Sequence, residues 1–247
     1  MSDDLALIAV AALWGAATGL LLPRAAYRFA APAGEAWLTH CPGGHPVRGW
    51  LGPARCRDCA RTRPGPAYGP GALLLPVVTA AVCAALAAAT GTRPELGAWL
   101  LLAPVGVLLA VVDFRVRRLP DPLTLPLAGA ALALLGLAAL LPEHAGHWLT
   151  ALYGALALCA GYFALFLINP AGMAFGDVKL ALGVGATLGW YGWPTVMLGT
   201  FAGFVLGALY AGVLVVAGRA GRKSAIAFGP FLLAGAFVGL LAGAYAA

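Results

Sequence analysis

Gly97-Ala98-Trp99-Leu100-Leu101-Leu102-Ala103-Pro104-Val105-Gly106-Val107-Leu108-Leu109-Ala110-Val111-Val112 carries no charge and runs straight into Asp113-Phe114-Arg115-Val116-Arg117-Arg118-Leu119-Pro120-Asp121. A run of this length with no polar side cannot lie half in water as an amphipathic helix does. It approaches the roughly 20 residues that cross a hydrocarbon core, and the arginines behind it mark where it leaves the lipid. Asp113 stands at that boundary. An acid there is costly to ionise, so its default reading is functional.

The rest of the chain extends the pattern. Of 247 residues 62% are apolar and only 10% charged, against about half and a quarter in soluble domains. The expected fold is all-α, a polytopic transmembrane helix bundle of about eight spans, with apolar stretches at 5–22, 72–90, 97–112, 123–141, 148–168, 180–193, 195–217 and 225–246. The first carries Asp3 and Asp4 in place of a basic n-region and reads as a retained helix. The stretch 180–193 is short and holds Gly183, Gly185 and Gly189, which suits a broken, tilted or bundle-buried helix.

Lysines and arginines orient the bundle. With the N-terminus outside, fourteen of the fifteen fall in inner segments, leaving only Arg93 outside. The positive-inside rule then sets the protein in the plasma membrane with Asp113 facing the cytosol. The +6 charge is accounted for by that orientation, and no basic stripe interleaves with aromatics, so nucleic acid is excluded as a partner and the bilayer takes its place. Three regions are expected: a first transmembrane helix at 1–22, a cytosolic Cys/His-containing segment at 23–71, and a membrane region at 72–247.

A second acid, Asp177, follows Gly172-Met173-Ala174-Phe175-Gly176 at the same inner boundary. Two carboxyls sharing one proton are driven apart in pKa, one suited to act as base toward water and the other as acid toward a carbonyl. The pair suggests aspartyl protease chemistry. Gly176 would let a substrate backbone come close. Asp121, ahead of Pro122, carries an N-cap signature, with a supporting role near the site as the alternative. Lys179 reads as a carboxylate partner or an inside-positive anchor, the anchor being favoured. Other protease chemistries fit badly: His40, His45, His144 and His147 all fall in loops, and Glu143-His144-Ala145-Gly146-His147 has its acid outside the histidine pair.

Taken together, Val112-Asp113, Leu119-Pro120-Asp121-x-Leu123-Thr124-Leu125-Pro126, Gly172-Met173-x-x-Gly176-Asp177-x-Lys179-Leu180 and Phe228-Gly229-Pro230-Phe231 resemble the motifs of the type IV prepilin leader peptidases, membrane aspartyl proteases of the GxGD kind. The resemblance covers about 97–247 and departs from the pattern at Ala174, where the first Gly is expected, and at Ala227, where Pro is usual. It implies that Asp113 and Asp177 form a catalytic pair and that the substrates are prepilin-like proteins, pilins or pseudopilins, cut after a short basic leader. It further implies that long members of the family methylate the new N-terminus with S-adenosylmethionine, an activity linked to two Cys-x-x-Cys pairs in the cytosolic segment.

In this chain one such pair is intact, Cys56-Arg57-Asp58-Cys59, while the other reads Cys41-Pro42-Gly43-Gly44-His45. Cys41, His45, Cys56 and Cys59 make a Cys₃His set suited to structural zinc, with His40 competing for the fourth place. Such a staple suits a segment with too few large apolar side chains for a core. Two other functions compete with the peptidase: a transporter or channel using paired acids, and an inactive scaffold that binds pilin precursors.

Overall fold

The structure is a computed structural model describing residues 2–62, 68–69, 73–170, 172–219 and 226–247. Among these residues the regular structure is helical, with one isolated antiparallel bridge between His40 and Pro46. The helices are α1 (Ser2–Phe29), α2 (Arg57–Thr62), α3 (Leu74–Thr90), α4 (Glu95–Val116), α5 (Asp121–Ala138), α6 (Trp148–Ile168), α7 (Phe175–Trp190), α8 (Trp193–Val216) and α9 (Gly229–Ala246). Each predicted apolar stretch holds a helix, although residues 72 and 225, where two of them begin, lie outside the described residues. Six of them, α1, α4, α5, α6, α8 and α9, are long and apolar enough to cross a membrane, whereas α3 and α7 are shorter at 17 and 16 residues. The protein is a multi-pass membrane protein. Arg63 and the basic pair Arg222 and Lys223 of the orientation argument, and the end of the segment at 23–71, lie outside the described residues.

The first helix continues past its predicted end at residue 22 to Phe29 and carries Pro23 inside it. Proline removes an N–H from the ladder and its ring crowds the preceding turn. The chain beyond supplies the missing partners: Arg24 N–H donates to Gly52 O (3.0 Å) and Gly52 N–H donates to Leu21 O (2.7 Å). This local stitch keeps α1 going and anchors the following loop to it.

Three pairs of helices pack closely, α1 with α3, α6 with α7, and α8 with α9, and α7 also touches α5, α8 and α9. The shortest apolar helix is therefore the centre of the bundle, with Leu180, Ala181, Ala186, Leu188 and Trp190 all buried. Its glycines make this possible. A Cβ on Gly185 would run into Gly154 O, and one on Gly189 would sit 2.5 Å from Thr150 O, so α6 and α7 meet backbone to backbone.

At the bundle end away from Asp113 lies a buried polar cluster. Glu95 is 0% exposed and faces Arg93 Nε at 3.9 Å. Tyr191 O–H donates to Glu95 Oε1 (3.3 Å), Trp99 Nε1–H donates to Tyr191 Oη (3.3 Å), and Arg93 donates to Ala244 O. The cluster ties the α3–α4 turn to the ends of α7 and α9.

Candidate active site

Asp113 sits in the last turn of α4 with Val112; both are buried, while Phe114 beside them is exposed. The helix stops at once because Arg117 turns into the left-handed region (φ 51°, ψ 44°) and returns its N–H to Asp113 O at 2.8 Å. Leu119 and Pro120 then pack inward and α5 begins. Asp121 does not cap α5: the cap position is Pro120, and Asp121 is the first helical residue. Its carboxylate is taken by Lys179 Nζ at 2.7 Å, so Lys179 is an ion-pair partner across the starts of α5 and α7.

Asp177 stands in the first turn of α7, where the helix dipole favours an anion. Ala174 N–H donates to Asp177 Oδ2 at 3.3 Å, and alanine has no side-chain acceptor with which to complete a capping box. At φ −81° and ψ 145°, Ala174 is unstrained, so the departure from Gly costs no backbone freedom here. Gly176 is needed for room, because a Cβ there would lie 3.0 Å from Leu119 Cβ.

Both acids line one cavity of about 210 Å³, together with Arg117, Met173, Ala174 and Phe228. They are nearly enclosed, Asp113 at 4% and Asp177 at 3% exposure. A third element closes the site: Gly229 N–H, at the start of α9, donates to Asp113 Oδ2 at 3.1 Å. Asp113 thus meets a backbone donor from α9 and Asp177 one from its own helix start, and the two carboxyls face a shared space large enough for water and a peptide unit.

The second cluster lies in the loop after α1. The ligand atoms of Cys41, His45, Cys56 and Cys59 all fall within 4.8 Å of one another. Cys41 Sγ is 3.6 Å from Cys59 Sγ and 3.7 Å from His45 Nδ1, and His45 Nδ1 is 3.2 Å from Cys59 Sγ. Tetrahedral bonds of about 2.0–2.3 Å to one zinc ion set ligand separations of roughly 3.5–3.8 Å, so this donor set fits a metal ion. His45, and not His40, belongs to this cluster; His40 Nδ1 lies 3.0 Å from Thr39 Oγ1. Gly44, at φ +79°, makes the tight turn that brings His45 back to Cys41, whose N–H donates to His45 O at 2.9 Å. Burial pushes the Cys41 thiol up, but hydrogen bonds from the His45 side chain and backbone outweigh it and bring it down to about 6. Cys59 is pushed up to about 11, first by its hydrogen bond with Cys41 and then by desolvation. A dication bound among these groups would displace their protons.

The loop holding this cluster is pinned to the bundle. Tyr27 O–H donates to His40 O (2.7 Å), and Arg28 lies 3.8 Å from the Trp50 ring centre. Arg118, five residues beyond Asp113, donates to Pro32 O (2.8 Å) and covers Trp37.

A profile of the type IV leader peptidase family matches residues 100–212. The chain is 34% identical over 202 residues to a prepilin leader peptidase/N-methyltransferase of Aeromonas hydrophila, covering 80% of this chain and 66% of that one. It is 33% identical over 174 residues to the protein so named in Escherichia coli strain K12, covering 68% and 72%. The chain belongs to the type IV leader peptidase family. A third relative of that name, from Burkholderia pseudomallei strain 1026b, is 33% identical over 215 residues, with 79% and 63% covered. The match spans just under two thirds of the Aeromonas hydrophila protein's length. No solved structure matches the chain.

The stretch matched to the family, 100–212, contains Asp113, Asp121, Gly176, Asp177 and Lys179 but neither the Cys/His cluster nor Gly229. The donor role of Gly229 and the place of Arg117 in the cavity wall escaped the sequence reading. The only signal was the Phe228-Gly229-Pro230 stretch itself, whose partner lies 116 positions away.

Proposed function

We propose that this protein is a membrane aspartyl endopeptidase that removes the basic leader from prepilin-like precursors at the cytosolic face, with Asp113 and Asp177 as the catalytic pair. The observation that carries the proposal is the enclosure of both carboxyls in one cavity at the end of the bundle that bears the basic loops. In such a pair the ionised carboxyl takes a proton from water as its oxygen adds to the scissile carbonyl, while the protonated carboxyl hands its proton to the carbonyl oxygen. Collapse of the resulting diol breaks the C–N bond, and the proton first taken from water passes to the leaving amine. The Asp121–Lys179 bridge holds the starts of α5 and α7 in register around this space, and Gly176 lets them approach.

Family membership favours this reading over a transporter, and the unstrained backbone at Ala174 removes the main argument for an inactive scaffold. Cys41, His45, Cys56 and Cys59 are proposed to hold a structural zinc ion that staples residues 23–71 to the bundle, with residues 72–247 as the protease region. The test is co-expression with a pilin-like precursor followed by mass measurement of the product. Wild type should release a shortened chain, and Asp113→Asn and Asp177→Asn should each abolish it. Cleavage persisting in either variant removes that residue from the pair. An added methyl group on the mature N-terminus would assign S-adenosylmethionine-dependent methyl transfer as well.

A further inference from the structure

Tyr162 is one of the largest wholly enclosed side chains of the protein, at 1% exposure, yet its hydroxyl has no hydrogen-bond partner among the described residues. A buried phenol normally finds one, since leaving it orphaned costs about 1–3 kcal/mol. Its ring is fixed by Phe204 of α8 and by Phe228, with ring centres 5.9 and 6.0 Å away. Phe228 also lines the cavity of the two acids and immediately precedes Gly229, the donor to Asp113.

The helix register brings this hydroxyl to the site. Helices α6 and α7 run antiparallel, with Gly154 against Gly185 and Gly189. Going from Gly154 to Tyr162 moves about 12 Å along α6, which on α7 leads back to its first turns, beside Asp177 and Lys179. That register sets Tyr162 opposite the start of α7, with no hydrogen bond yet made by its hydroxyl among the described residues.

We propose that Tyr162 is a positioning residue of the acid pair, its phenol O–H donating to the Asp177 carboxylate when a substrate occupies the cavity. This rests on the proposed peptidase function. Tyr162 does not line the cavity, whereas Phe228 against its ring does, so its role is to support Asp177 and not to touch the scissile bond. The groups around Asp177 are Asp113 and Arg117 from the end of α4, Tyr162 from α6 and the Ala174 N–H. Nearby, Asp121 and Lys179 are satisfied by each other, and the elements bearing Phe204 and Phe228 bring aromatic carbon against Tyr162. A donor aimed at the ionised carboxyl favours that form, so its loss should require a higher pH to keep the pair in its working, singly ionised state.

Tyr162→Phe keeps the ring and removes only the donor. On the precursor that wild type cleaves, kcat should fall about tenfold to hundredfold, the worth of a hydrogen bond to a charged group. KM should hold, and the acid limb of the rate–pH profile should move up by about one pH unit. An unchanged kcat and acid limb, with equal or higher thermal stability, would mean that the hydroxyl is merely orphaned and would overturn the proposal. Lost activity with an unmoved acid limb and a lowered melting temperature would assign a packing role, with the same consequence. Failure of the parent reading looks different: wild type would then leave the precursor intact, or Asp177→Asn would still cleave it.

Discussion

Replacing Gly229 with alanine tests the least conspicuous part of the site. A Cβ at that position would stand 2.8 Å from Asp113 Oδ2, 3.3 Å from its Cγ and 3.3 Å from Leu119 Cδ1. Carbon and oxygen settle no closer than about 3.3–3.6 Å, so the carboxyl must retreat by roughly half an ångström or more. Leu119 is buried and gives little room on the other side. The retreat also stretches the Gly229 N–H bond to Asp113 Oδ2, now 3.1 Å. Catalytic groups need placement within about 0.5 Å, and about 1 Å of misplacement costs on the order of a hundredfold. A fall in kcat of about ten- to thirtyfold is therefore expected, between these limits. Substrate binding, spread along the helices, should change little, and the helix propensity of alanine in the first turn of α9 offsets part of the crowding, so the variant should still fold. The assay is the time course of precursor conversion in detergent or liposomes at several substrate concentrations, with a thermal melt of the same preparation. Wild-type kcat in a folded Gly229→Ala protein would refute the idea that the start of α9 positions Asp113.

Three other outcomes follow from the same geometry. Purified protein should carry one zinc ion per chain by elemental analysis, and Cys41→Ser should lose it and expose residues 30–62 to limited proteolysis, since the donor set fits a metal and the loop has little core of its own. Lys179→Met should slow cleavage only a few-fold and lower stability by less than about 1 kcal/mol, because Asp121 is 58% exposed and solvent screens the pair; a loss as large as that of Asp177→Asn would make Lys179 part of the chemistry. Glu95→Leu should lower the melting temperature, with a cost of about 3 kcal/mol for an arginine left half-paired in the interior, while leaving the pH profile of cleavage unchanged, because the cluster sits at the far end of α4.

Hydropathy made the helices legible because lipid forces every spanning segment to satisfy its own backbone bonds, and a long uncharged stretch has no other stable form. The two acids were legible for the same reason, as exceptions to that composition. What stayed hidden depends on adjacency in space. The continuation of α1 through Pro23 relies on Gly52, 29 positions on in the chain, and no local rule anticipates that partner. Asp121 carried a sound capping pattern, yet Pro120 took the cap position and Lys179, from another helix, took the carboxylate. The Glu95 cluster was equally obscure: Arg93 reads as a lone outer charge until α9 brings Ala244 O to it and Tyr191, just past α7, reaches Glu95.

The bundle resolves a conflict between burial and charge by dividing it among helices. Enclosing two carboxylates near lipid is expensive, and a single helix could supply at most a few donors at its own end. Here Asp113 projects from a helix C-terminus, where the dipole opposes its charge, and is met by the N–H of Gly229 from the start of α9. Asp177 projects from a helix N-terminus, where the dipole favours it, and is met by Ala174. The two acids therefore occupy opposite ends of the helix dipole while sharing one cavity. The glycine contacts between α6 and α7 hold Asp177 at that depth, and the sharp left-handed stop at Arg117 holds Asp113 there. The fold thus does for the pair what no sequence neighbour could: it gives two like groups different surroundings a short distance apart.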